Sequence, residues 1–187
     1  MKRRGLGLVL LAGLGCSGER QYLPLEPGTT WSYTVRTPLV THVSDLTVAS
    51  EVSGYREIRG SMGRSLIEWR DGALWARELS GTRFEPPIPL LRPGVPSWRA
   101  SWRGRVEGPF PYTSATASLR QSEEELSQPT RKLPTIKCVL SLEIGPHLVE
   151  LETWFARGVG IVRQEQRVDG RFALAMEHLR GPAQLSR

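Results

Sequence analysis

Apolar and polar residues alternate along most of this chain with a period of two, and no window shows a convincing period of 3.6. From Trp98 to Val106 the alternation is clean. Trp98, Ala100, Trp102, Gly104 and Val106 share one face, and Arg99, Ser101, Arg103 and Arg105 share the other. Ile136, Cys138, Leu140, Leu142 and Ile144 repeat the pattern, as do Trp31, Tyr33 and Val35. A chain written this way buries one face of each strand and cannot bury helices. The expected fold is all-β: a single antiparallel, strongly curved sheet or open barrel of about ten strands, with at most one short helix.

Turn chemistry divides the strands. Asp71-Gly72 and Asp169-Gly170 are two-residue hairpin signals, and Ser53-Gly54 and Gly145-Pro146 mark further turns. Trp69 and Trp75 flank the first hairpin signal and are expected to face each other across it. Glu85 to Pro96 holds five prolines, which cannot donate to a ladder, so this stretch reads as an extended loop between two halves of the sheet. Ser122 to Glu125 has capping-box spacing, consistent with a short helix or a solvated turn. Gly158-Val159-Gly160 lacks the third glycine and following helix of a phosphate loop, and reads as a bulge or strand corner.

The N-terminus has different grammar. Lys2, Arg3 and Arg4 precede an uncharged run, Gly5 to Gly15, that leads to Cys16. This is the layout of an export signal. About ten apolar residues cannot cross roughly 30 Å of hydrocarbon as a helix. The layout resembles a bacterial lipoprotein signal, in which Cys16 becomes the first mature residue and carries lipid. Gly15 fits that motif, whereas Gly13 and Leu14 sit one place out of register with it. The alternative is an ordinary signal peptide cut near Gly15 that leaves Cys16 a free thiol. Ser17 after the cysteine resembles the enteric-type pattern for outer-membrane delivery, facing the periplasm. The organisation expected is residues 1–15 as signal, 16–21 as lipidated tether, 22–180 as β domain, and 181–187 as a frayed end.

Lys2, Arg3 and Arg4 account for half of the net charge of +6, so the exported part is only mildly basic. That excludes dedicated nucleic-acid binding and leaves contact with an anionic surface. Arg99, Arg103 and Arg105, on one strand face, are the candidates for such contact, against a plainer role as solvated side chains paired to nearby carboxylates. Of the two cysteines, Cys138 lies on an apolar strand face. With Cys16 acylated it has no partner, and it is expected to act as a small buried hydrophobe.

Two segments carry a family resemblance. "YLPLEPGTTWSYTV", from Tyr22, resembles the P-L-x-x-G-x-x-W-x-Y opening of a group of uncharacterised bacterial lipoproteins. "WFARGVGIV", from Trp154, resembles that group's W-[FY]-A-x-G-V-G-[LI]-V segment. The resemblance implies an envelope lipoprotein and assigns no activity.

The chemistry-bearing residues are dispersed. His42, His147 and His178 lie on three separate elements, none with a second ligand at metal spacing. No nucleophile elbow is present. Glu150 and Glu152 share a strand face, an arrangement that rarely makes the cleft an envelope hydrolase needs. The Glu123–Glu125 run lacks the spacing that wraps a calcium ion. No catalytic or metal site and no cofactor is expected. The sequence leaves a lipid-anchored binding or assembly module, with an envelope protein or lipid as partner. The alternative is a carrier of a hydrophobic ligand, resembling periplasmic lipoprotein carriers. A continuous apolar cavity of about 300 Å³ or more would favour the carrier, and a packed interior the scaffold.

Overall fold

The computed structural model describes residues 18, 20–108, 113–127 and 132–184. Cys16 and residues 1–15, the expected signal, lie outside the described residues. After a 3₁₀ turn at Arg20–Tyr22 the described chain forms twelve strands. They are β1 (Thr29–Arg36), β2 (Thr41–Val52), β3 (Tyr55–Gly60), β4 (Gly63–Arg70), β5 (Ala73–Leu79) and β6 (Thr82–Leu91). The second half comprises β7 (Ser97–Glu107), β8 (Thr113–Ser127), β9 (Lys132–Ile144), β10 (His147–Ala156), β11 (Gly160–Val168) and β12 (Arg171–Gln184).

Each strand pairs antiparallel with its sequence neighbours, and β12 returns to β1, so the sheet closes. The closure is tighter than the open or curved sheet the alternation suggests. Thr29 pairs with Gln184 and Arg36 with Ala175, and the ladder carries β12 past residue 180. A closed meander leaves no edge strand to template aggregation. The up-and-down order also fixes the two ends. The start of β1, the β4–β5 turn and the β10–β11 turn share the N-terminal end. The β3–β4, β5–β6 and β9–β10 turns share the other, here termed the mouth.

Every second side chain enters the barrel. Trp31, Tyr33, Val35, Leu74, Ile88, Val106 and Met176 are almost fully buried there, while Arg99, Arg103, Arg105 and Glu143 face outward and exposed. Membrane-spanning barrels show the reverse pattern, with an apolar exterior and a polar lumen.

The proline-rich stretch is not a loop as a whole. Pro86, Pro87 and Pro89 lie within β6, which keeps a ladder to β5 through Trp75–Pro89 and Ala76–Ile88. The prolines act on the other edge: β6 pairs with β7 only through Arg83, Glu85 and the Phe84 between them. Side chains close the gap. The Trp102 indole donates to the Pro86 carbonyl at 2.9 Å. Buried Gln121 accepts from the Arg92 amide at 2.9 Å and donates to the carbonyls of Arg92 at 2.9 Å and Val95 at 2.7 Å. One side-chain amide thus supplies the donor and acceptor of a missing strand position.

Ser122 to Glu125 forms neither helix nor turn but the continuous C-terminal arm of β8, in register with β9 as far as Ser127–Lys132. Pairing overrides the local cap signal because Leu126 is buried on this arm and the carboxylates stay outside. Glu125 meets Lys132 at 2.8 Å, and the Glu124 carbonyl accepts from the Thr135 hydroxyl at 2.7 Å. Trp69 and Trp75 are not cross-strand partners either. Register pairs Trp69 with Leu74 and Trp75 with Glu68. Trp69 therefore points in, and its indole donates to the Leu23 carbonyl at 3.0 Å. Trp75 points out beneath Arg70, whose guanidinium lies 5.0 Å from its ring.

Candidate functional site

A barrel of eight strands is just wide enough to be filled by its own side chains, and diameter grows with strand number. Twelve strands leave space unless the interior is unusually bulky. Here the bulk is placed unevenly. Leu23 and Leu25 of the lead-in to β1 are buried. Leu23, with Trp31, Trp69 and Phe155, fills the N-terminal end.

The two segments that carry the family resemblance meet at this floor. The Trp31 indole donates to the Val159 carbonyl at 2.7 Å, and the Gly158 amide donates to the Gln21 carbonyl at 2.8 Å. Gly160 has φ +103°, and a Cβ there would lie 3.0 Å from Trp31 Nε1. Trp154 faces outward, sandwiched between Lys137 at 4.6 Å and Arg163 at 5.3 Å. These motif residues form the seal between the first strand and the β10–β11 corner, which is an architectural role.

Above the floor the lumen opens. A cavity of about 240 Å³ runs from Leu23 and Trp31 up to Met62, Ser80 and Ile144 at the mouth. A second, of about 50 Å³, extends deeper beside Ile67, Leu140 and Phe155. The larger lies somewhat below the roughly 300 Å³ at which ordinary ligand pockets begin, and the interior is not solid. Its walls carry no Asp, Glu, Lys, Arg or His. Aliphatic side chains such as Ile67, Leu140, Leu142 and Leu151 form most of the lining.

Polar side chains break this wall in two places: Ser65, Ser80 and Thr82 near the mouth, and Tyr33, Gln164 and Gln166. Tyr33 on β1 is 1% exposed, and its hydroxyl has no hydrogen-bond partner among the described residues. Burial pushes its pKa far above the ordinary range for tyrosine, so the hydroxyl stays protonated. Gln164 and Gln166 are successive inward positions on β11, opposite Met176 and Leu174 of β12. Their side-chain amides also have no hydrogen-bond partner among the described residues. β12 alone separates β11 from β1, so Tyr33, Gln164 and Gln166 lie on one side of the lumen. A mark of these residues is present in the sequence: Arg163 to Arg167 is polar on both faces, a lapse of alternation inside a strand that recurs at Arg120 to Glu125 of β8.

The residues singled out from sequence do not gather at this cavity. Cys16 lies outside the described residues. Arg99, Arg103 and Arg105 project from the outer face of β7, with Arg120 of β8 directly opposite Arg99. Arg99 and Arg103 have no ion-pair partner among the described residues. His42 is exposed. His147 bonds Asp169 at 2.9 Å and holds its carboxyl below the usual range, with the Leu148 amide adding to the effect. His178 packs edge-on to Tyr33 with ring centres 5.8 Å apart. Glu152 pairs with Lys137 at 2.9 Å on the exterior. Among the described residues no group of three or more His, Cys, Asp or Glu could hold a metal ion. Cys138 is buried in the barrel wall as a small hydrophobe, and desolvation pushes its thiol up to about 12.

No family model matches the sequence, and no curated protein matches it. Two solved structures have a similar chain path. One, described as a candidate lipoprotein of Parabacteroides distasonis, shares 10% identity and a TM-score of 0.50 over 84% of this chain and 96% of that one. The other, described as a candidate exported protein of Bacteroides fragilis with a YmcC-like fold, shares 12% identity and a TM-score of 0.47 over 83% and 95%. At such identity the likeness concerns the fold alone.

Proposed function

We propose that this chain is an exported, lipid-anchored binding module of a bacterial cell envelope. Cys16 is its acylation site, the outer membrane its destination, and the barrel lumen its binding element. The observation that carries the reading is the asymmetry of the lumen. Leu23 and Trp31 close it at the end where the tether enters, while an apolar cavity of about 240 Å³ opens at the other. A ligand can therefore enter without disturbing the seal next to the anchor. The basic and hydrophobic layout of residues 2–16 supports export, and acylation of a cysteine with two or more chains gives a stable anchor.

The cavity also weighs on the alternative carrier. A lipoprotein terminus brings several acyl chains at once, and about 240 Å³ suits a single short one. Binding of one small hydrophobic ligand is therefore favoured over transport of a whole lipoprotein. Arg99, Arg103 and Arg105 add a second, external contact of this module, an anionic surface met by the flank of the barrel.

Metabolic labelling with a palmitate analogue tests the anchor. Label is expected on the native protein and not on the Cys16→Ser variant, with the native form pelleting with membranes. Equal label on both would end the anchoring claim.

A further inference from the structure

We infer that the lumen takes an uncharged single-chain amphiphile of the fatty-alcohol or monoacylglycerol class, its head held by Tyr33, Gln164 and Gln166. The inference rests on the binding-module reading and names the ligand chemistry of that site.

The charge argument comes first. A carboxylate, phosphate or ammonium drawn into this lumen would meet no opposite charge, because its walls carry none. An unpaired charge in such a place costs far more than a hydrogen bond returns. A purely hydrocarbon ligand fits poorly for the opposite reason. It would leave Gln164, Gln166 and the Tyr33 hydroxyl facing hydrocarbon, and these have no hydrogen-bond partner among the described residues. Each polar group dried without a partner weakens the complex, because its lost hydration is not replaced. The ligand that satisfies both conditions has a neutral head that donates and accepts.

Placement agrees. Gln164 and Gln166, two residues apart on one strand face, stand roughly 6–7 Å from each other along β11. That is the reach of a hydroxyl and an ester carbonyl on a small head. Tyr33 lies two strands away and supplies a hydroxyl that can donate or accept. From Gln164 toward the floor the wall is mostly aliphatic and continues into the second cavity, of about 50 Å³, which Gln164 and Thr153 line together with Ile67, Leu140 and Phe155. Head toward the mouth and tail toward the sealed floor is the orientation these surfaces define.

The test uses the full chain carrying Cys16→Ser, which removes the acylation site and alters none of the described residues. Binding is measured by titration calorimetry and native mass spectrometry at neutral pH. The probes are glycerol monolaurate, laurate and dodecyltrimethylammonium, which share a chain and differ in head charge. One equivalent of monolaurate is expected to bind, at least about tenfold more tightly than either charged probe. Tyr33→Phe is expected to weaken monolaurate by about three- to tenfold, and Tyr33→Phe with Gln164→Leu and Gln166→Leu by more, without weakening the charged probes in step. Met62→Trp, at the mouth where Met62 is only partly buried against the rim of the core, is expected to block all binding while leaving the melting temperature close to native, which keeps the test decisive if the triple variant misfolds. Charged probes binding as tightly as monolaurate would overturn the inference, as would polar-group variants that bind it unchanged or a Met62→Trp variant that still binds. A native chain that binds no probe would overturn it as well, while leaving the anchor to be judged by acyl labelling.

Discussion

Gly160 and Trp31 are far apart in the chain and form one joint in the fold. The glycine holds φ +103°, where an L side chain is strained whatever the space around it. A Cβ there would also crowd the indole nitrogen that bonds Val159. Gly160→Ala is therefore expected to cost about 2 kcal/mol or more, measured by urea unfolding. Gly170→Ala provides the comparison. It has a positive φ but nothing within 4 Å of its would-be Cβ, and should lose only the strain. Equal losses at the two sites would show that the indole contact adds nothing. The sequence marks Gly158-Val159-Gly160 as a corner and is silent on its partner, because Trp31 reaches it only after the barrel closes. Tyr33 illustrates the same limit. Its apolar-face position is plain from alternation, but whether its hydroxyl is satisfied depends on β11, two strands away.

At the scale of strands, local signals were reliable where the ladder is regular and misleading where side chains replace it. β7 and β9 follow the alternation residue by residue. β6 does not, because proline content describes lost donors and says nothing of which edge loses them. Here the lost donors face β7, and Gln121 and Trp102 bridge the gap. Gln121→Leu keeps the volume and removes the bridge, leaving the Arg92 amide and the Arg92 and Val95 carbonyls without that partner at a part-buried seam. The expected cost is about 2–4 kcal/mol. Hydrogen exchange is expected to quicken first at 90–97, where β6 runs into β7, while β8 and β9 keep their protection. Uniform quickening would mean that the seam is no weaker than the rest of the barrel. The arm at Ser122–Glu125 shows the converse. A helix cap is written locally, yet thirteen paired positions between β8 and β9 outweigh the roughly 1 kcal/mol that such a cap contributes.

For the molecule as a whole, the number of strands matters more than the identity of any one. About ten strands or twelve look alike in sequence, since both are runs of alternation between turns, and closure depends on the ends of the chain finding each other. Closure at twelve gives a lumen wider than its own side chains fill, and the lead-in to β1 then decides how much stays open. Leu23 is 2% exposed and lines both cavities, so it acts as the stopper between lumen and N-terminal end. Leu23→Ala should have two linked effects. Truncating a buried leucine costs about 2–5 kcal/mol, and each kcal/mol lowers the melting temperature of a domain this size by about 2–4 °C. The same truncation deepens the lumen toward the floor, so glycerol monopalmitate should gain on glycerol monolaurate in relative affinity. Stability lost with no change in chain-length preference would mean that Leu23 is only core, and that the tail of the ligand never reaches it. Stability lost together with a shift toward the longer chain would tie the fold's closure to its capacity. The residue that seals the barrel would then also set the length of what it holds.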